Sequence, residues 1–265
     1  MRLRPLHGTG LFVSALGLGT VKFGRNRQVK YPTPFDLPGD GEILGLLDLA
    51  REEGICLLDT APAYGTSEER LGKLLGQRRD EWVLVSKAGE DFSGASSSFD
   101  FSPGAITASV ERSLARLRTD RIDCLLLHSD GNDLDVLDRS GAVEALLALK
   151  AAGKILAAGI STKTVAGGLR AVELGLDAVM VTYNPWQREE EPVLDAALEA
   201  GTTVFLKKAL GSGWLGGAES PADAVATSLR FVFSHPAVSA AVVGTVNAAH
   251  LRANCRALPP GVGGI

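Results

Sequence analysis

The chain has 265 residues, 45% of them hydrophobic and 22% charged, with a net charge of −4. That length suits one large domain, residues 1–265, with a packed core. The mild, interspersed acidity argues against nucleic acid or an anionic membrane as the principal partner. No apolar run reaches the roughly 18 residues that a membrane-crossing helix needs. The basic start MRLRPLHGTG lacks the apolar stretch of a secretory leader. Cys56, Cys124 and Cys255 have no metal-like spacing, and the first two lie inside apolar runs. The expectation is therefore reduced, structural thiols in a cytoplasmic protein.

Residues 2–14, RLRPLHGTGLFVS, suggest a two-stranded hairpin turning at His7-Gly8-Thr9-Gly10. Eight short β-rich runs follow, at 15–20, 55–60, 81–86, 122–129, 155–161, 178–184, 202–208 and 240–245. Between and after them lie segments with apolar residues at three- and four-residue spacing, such as Val110, Leu114 and Leu117. Several of these open on Ser, Asp or Pro, and Gly54, Gly153, Gly175 and Gly201 close others just before the next run. Near-continuous apolar strands alternating with helices imply a parallel sheet covered by helices. Eight such units imply a closed (β/α)8 TIM barrel, with the N-terminal hairpin plugging one end. An open doubly wound sheet would show a G-x-G-x-x-G turn running straight into a helix. Here Gly17 and Gly19 lead instead into a long irregular stretch.

The loops after strands 1, 3 and 7 are the longest. The first carries Lys22, Phe23 and Tyr31. The third, AGEDFSGASSSFDFS, is serine-rich and is expected to be mobile. The seventh, ALGSGWLGGAES, is glycine-rich with one aromatic, Trp214, and is expected to fold over a ligand. In a parallel barrel such loops surround the mouth where catalytic groups collect.

Asp59, Lys87 and His128 each sit at or just past the end of an apolar run, and Tyr64 follows Asp59 by five residues. Barrel closure brings these ends together. A free phenol titrates near pH 10. An adjacent ammonium stabilises the phenolate and brings the group toward useful acid–base strength at neutral pH. Lys87 is the candidate ammonium, Asp59 its anchor, Tyr64 a proton donor to a carbonyl, and His128 a donor that orients that carbonyl. The bland alternative is four polar groups with structural duties at strand ends. No His/Cys/Asp cluster has metal spacing, and no Gly-x-Ser-x-Gly elbow is present.

The segments GLGTVKFG, LLDTAPAYGTSEERLG, VLVSK, RSLARLRTDRIDCLLLHS, GISTK, VTYNPW and GTVNAAHL span nearly the whole chain. In that order they resemble the aldo-keto reductase superfamily. The resemblance implies a (β/α)8 barrel and reversible hydride transfer between a nicotinamide cofactor and an aldehyde or ketone. It implies NADP(H) as cofactor, with NAD(H) an open alternative.

Ser161 matches the serine that binds the carboxamide. Thr162 stands where an Asn is usual, Met180 where a Gln is usual, and Lys207 where a ring-stacking Tyr is usual. The resemblance also assigns Gly19, Thr20 and Asp59 to the cofactor, with Ala209, Leu210 and Gly213 from the seventh loop. Gly244, Thr245, Val246, His250 and Asn254 form its phosphate end. Gly244 and His250 stand where Lys and Arg often meet a 2′-phosphate, which leaves that end with few fixed charges. Expected substrate walls are Phe23, Tyr64, His128, Trp186 and Trp214, around a pocket left open by a short C-terminal tail. The altered cofactor residues keep open a slow or regulatory cofactor-binding protein, and a third reading is a lyase or isomerase using the same four groups without net redox change. A monomer acting on a small carbonyl or alcohol is expected.

Overall fold

The computed structural model of the chain describes residues 1–29, 34–94, 96–211 and 221–262. Among the described residues, eight parallel strands close a barrel: β3 (Leu16–Gly19), β4 (Leu57–Asp59), β5 (Val83–Ala88), β8 (Ile122–His128), β9 (Ile155–Ser161), β10 (Ala178–Thr182), β11 (Thr203–Lys207) and β12 (Val238–Val243), which returns to β3. Each falls within two residues of an expected apolar run. Helices α2 (Asp40–Glu52), α3 (Ser67–Leu75), α4 (Pro103–Leu117), α6 (Ala142–Ala151), α7 (Val165–Glu173), α8 (Glu191–Ala200), α9 (Pro221–Val232) and α10 (Ala248–Arg256) follow the strands. Local chemistry sets several starts. Ser102 Oγ accepts from Ala105 N ahead of Pro103, and Thr164 Oγ1 accepts from Gly167 N, each satisfying an amide that the helix itself leaves unpaired.

The strands read as continuous apolar runs because both faces are buried. All six residues of β5 are buried. Outward residues such as Leu84, Leu125 and Val204 pack against the helices. Inward residues, among them Leu57, Val85, Leu126, Met180 and Phe205, fill the barrel. Burial of such side chains is worth about 1.5–3 kcal/mol each, so the interior is a packed core and not a pore.

The expected hairpin is present. β1 (Leu3–Pro5) pairs antiparallel with β2 (Phe12–Ser14), and Leu6 and Val13 join the interior cluster at the end away from the mouth. A groove of about 510 Å³ lies beside it, lined by Phe12, Arg51, Trp82 and Arg121 among others, and it contains no member of the Asp59–Tyr64–Lys87–His128 set.

The serine-rich stretch after the third barrel strand contains a second hairpin that the sequence did not suggest, β6 (Glu90–Phe92) paired with β7 (Ser97–Phe99). Its register places Phe92 opposite Ser97 and Glu90 opposite Phe99. The period-2 fragments EDF and SSF around Ser93-Gly94 give this segment a strand pattern that its serine content masks.

Candidate active site

Strand periodicity builds the site. Alternate side chains face the barrel interior, so two steps beyond the inward Leu57, Val85, Leu126 and Phe205 come Asp59, Lys87, His128 and Lys207. Ser161 lies beside His128 in the register of β8 and β9. The last inward position of each of these strands is therefore polar and opens on one mouth. Lys87 is 1% exposed and Asp59 3%. Lys87 Nζ donates to Asp59 Oδ1 at 2.6 Å and to Thr60 O at 2.9 Å.

Tyr64 ends a 3₁₀ turn, Pro62–Tyr64. Its ring has Lys87 Nζ 4.8 Å from the centroid and meets the His128 ring edge-on at 6.3 Å. Its hydroxyl lies 3.5 Å from Asp59 Oδ2. The four expected groups thus meet at one place.

The turn carrying Tyr64 is held from below. Ser67 Oγ lies 2.8 Å from Thr20 Oγ1 and 3.0 Å from Thr60 Oγ1. Glu68 is fully buried, with Oε1 accepting from Ser86 Oγ and Oε2 3.5 Å from Arg116. This accounts for the SEER segment physically: it fastens α3 to the ends of three barrel strands.

His128 Nδ1 sits 2.8 Å from Glu90 Oε2. The atoms are close without the alignment of a well-directed hydrogen bond. Burial pulls the imidazole below its usual pKa, Glu90 pulls it up and Lys87 pushes it down again. Burial would raise Glu90, but His128 and Ser97 hold it down, to about 2. Burial and Lys87 both resist a charge on the imidazole, and Glu90 stays ionised.

Lys207 Nζ donates to Ser161 Oγ at 3.0 Å and also to Thr162 O. Burial lowers Lys207 to about 8, with Glu190 opposing. Because Ser161 Oγ accepts from Lys207, its own hydrogen remains for a ligand. That fits an amide carbonyl presented at the mouth.

The remaining expected residues are placed unevenly. Thr20 is fully buried and gives its hydroxyl to Asp59 O. Thr162 gives its hydroxyl to the buried Glu190, whose other oxygen accepts from Thr182 N at 2.7 Å. Met180 lies in the packed interior. Neither Thr162 nor Met180 offers the mouth a polar group. Ala209 is buried, while Gly244 and His250 are exposed and Thr245 and Asn254 are buried. Asn247 Oδ1 takes the amides of Ala249 and His250 at 2.8 and 3.1 Å, occupying part of the α10 N-terminus.

Trp186 is 47% exposed and approaches Gly211. Phe23 corrects an expectation. It lies on a one-turn helix, α1 (Val21–Gly24), and is fully buried in the cluster between barrel and helices, which removes it from the pocket wall. Gly213 and Trp214 lie outside the described residues. Glu90 and Glu190 are the two site groups that sequence reasoning missed.

The aldo/keto reductase family model matches residues 15–228. The chain belongs to the aldo/keto reductase family. This aldo/keto reductase is accordingly an NAD(P)H-dependent oxidoreductase. It is 34% identical to D-threo-aldose 1-dehydrogenase of a Pseudomonas species over 243 residues, 81% of this chain and 71% of that one. A candidate aldo-keto reductase from Pseudomonas aeruginosa, PA4992, has a crystal structure that superposes with a TM-score of 0.86. It is 52% identical and covers 96% of this chain and 93% of its own. The holo form of AKR11C1 from Bacillus halodurans superposes at 0.81 with 25% identity, covering 97% and 90%. No described helix is long and apolar enough to cross a membrane.

Proposed function

We propose that this reductase converts an aldehyde or ketone to the alcohol, reversibly, with Tyr64 as proton donor. The single observation that carries the reading is the buried Lys87–Asp59 pair, 2.6 Å apart, beneath a phenol ring set edge-on to His128. The bound nicotinamide supplies the hydride. Tyr64 gives its hydroxyl proton to the carbonyl oxygen as that oxygen gains charge. Lys87 favours the resulting phenolate. Asp59 holds Lys87 in place and balances its charge. His128 hydrogen-bonds the carbonyl oxygen and turns it toward Tyr64.

Ser161 and Lys207 are the groups that would hold the nicotinamide end. Lys207 stands where an aromatic ring usually stacks and supplies charge in place of a flat surface. At the other end His250 is exposed, and Arg252 lies 3.9 Å from Glu53, so few fixed cations meet a 2′-phosphate. NADP(H) is the proposed cofactor, with an advantage over NAD(H) below about 100-fold in Kd, or about 2.8 kcal/mol. The proposed protein is a cytoplasmic, monomeric, single-domain enzyme. Its relative named for D-threo-aldose places sugar aldehydes in the substrate panel.

The test titrates both cofactors by intrinsic fluorescence, in wild type and His250→Ala, then follows a panel of aldehydes by nicotinamide absorbance. Tight binding without turnover of any carbonyl would favour the slow, regulatory alternative. A cofactor preference above a thousandfold that ignores His250→Ala would defeat the account of the phosphate end.

A further inference from the structure

Two lysines reach the mouth from the barrel, and their partners differ in kind. Lys87 Nζ meets a carboxylate, Asp59 Oδ1, at 2.6 Å. Lys207 Nζ meets two neutral oxygens, Ser161 Oγ at 3.0 Å and Thr162 O. Among the described residues Lys207 has no ion-pair partner. The carboxylate that acts on it most strongly, Glu190, spends its oxygens on Thr162 Oγ1 and Thr182 N. Lys207 ends β11 and is partly exposed, whereas its chain neighbour Lys208 is exposed.

We propose that Lys207 is a second reactive group of the mouth: its side-chain nitrogen condenses with small aldehydes to form an imine. Proton counting carries the geometry. An ammonium has three N–H donors, and the two oxygens here take only two. The neutral amine has two N–H donors, so both are satisfied and the lone pair is left over. Burial favours the same form, lowering Lys207 to about 8. Glu190 and Asp133 favour the charge, while Lys208 and Lys163 oppose it, and His128 lies close enough to feel it. A desolvated lysine of this kind is a nucleophile toward carbonyl carbon.

The step balances without a co-reactant. The Nζ lone pair attacks the carbonyl carbon, and the carbonyl oxygen takes one amine hydrogen to give a carbinolamine. The hydroxyl then leaves as water with the second amine hydrogen as the C=N bond forms. Nothing is oxidised or reduced. The step needs no nicotinamide, so it stands or falls apart from carbonyl reduction. At pH 7 a group titrating at 8 is about one-tenth neutral, against about one part in 2,500 for a free lysine near 10.4. Part of that advantage is lost, because a weaker base is a weaker nucleophile. The expected net effect is capture by Lys207 at least about tenfold faster than by an exposed lysine.

The probe is propanal, with cyanoborohydride present to reduce the imine to a stable propylamine, on the full chain without added cofactor. Peptide mass spectrometry reads the propyl group at each lysine. At pH 7 Lys207 should be labelled at least about tenfold faster than Lys208, and the ratio should fall as pH rises from 7 to 10, where ordinary lysines also lose their protons. Lys87, paired with Asp59, should label far more slowly than Lys207. Equal rates at Lys207 and Lys208 at pH 7 overturn the proposal. So does a ratio that ignores pH, and so does Lys87 labelling as fast as Lys207, because the proposal turns on their different partners. In Lys207→Arg the fast phase of the intact-mass gain should vanish, and a fast phase that survives overturns the proposal. Should that variant fail to fold, the wild-type peptide ratios decide alone.

Discussion

Lys207→Met is expected to make the cofactor-free protein more stable at neutral pH while weakening the site. Burial lowers the Lys207 ammonium from 10.5 to about 8. A lysine whose pKa is depressed by folding binds fewer protons in the folded state than in the unfolded chain between those two values. Stability therefore rises with pH across the window from about 8 to 10.5, and below 8 the full penalty stands. At about 1.4 kcal/mol per unit, the penalty is about 3 kcal/mol. That figure is an upper bound, because part of the side chain keeps contact with water at the mouth. Methionine removes the penalty and also the bonds to Ser161 Oγ and Thr162 O, each worth about 0.5–1.5 kcal/mol net. The balance is a gain of about 0–2 kcal/mol at pH 7, or up to about 8 °C in Tm for a chain of this size. The gain should shrink as pH rises from 8 to 10, because wild type sheds its charge and the variant has none to shed. Thermal melts of both proteins at half-unit pH steps from 7 to 10 make the comparison. A variant less stable at pH 7, or a difference flat across the window, would refute the reasoning.

Lys87→Met strands the buried Asp59 carboxylate, and removing one partner of a buried pair costs about 3–5 kcal/mol; urea unfolding checks this, with a loss under about 1 kcal/mol counting against it. Asp59→Asn should lower kcat less than Lys87→Met, because Lys87 keeps its second acceptor, Thr60 O; pH–rate profiles of both variants compare them. Gly65→Ala should lower kcat with little change in cofactor Kd, since a Cβ there would stand 2.2 Å from Gly24 O at a φ of +62° and displace the Tyr64 turn. Gly76→Ala is the control. It has the same kind of backbone strain, at a φ of +49°, with nothing within 4 Å of the added carbon, so equal losses in both variants would put the effect on strain and not on Tyr64.

The barrel was legible because its strands are buried on both faces and so read as apolar runs. The central site was legible for the same reason in reverse: Asp59, Lys87 and His128 are the positions where an inward-facing series turns polar. Periodicity says less where the chain leaves the strands. Phe23 lies only four residues past Gly19, yet a single helical turn swings it into the outer core. Glu90 was hidden because a serine-rich composition resembles a loose loop, and its partner His128 lies on another strand. Glu190 was hidden because its bonds to Thr162 Oγ1 and Thr182 N join segments whose proximity only barrel closure creates. The same contact turns the Thr162 hydroxyl away from the mouth, which its place in the sequence beside Ser161 does not foretell.

The central claim is that Tyr64 delivers the proton. Tyr64→Phe keeps the ring that Lys87 and His128 pack against and removes only the hydroxyl. The decisive measurement is kcat for carbonyl reduction in that variant, alongside cofactor Kd by fluorescence titration. A positioned acid contributes about 10²–10⁴-fold, so kcat should fall by that factor while Kd stays within about twofold. A variant that keeps more than about a tenth of wild-type kcat, well short of that range, would contradict the account and move the proton donor elsewhere in the mouth.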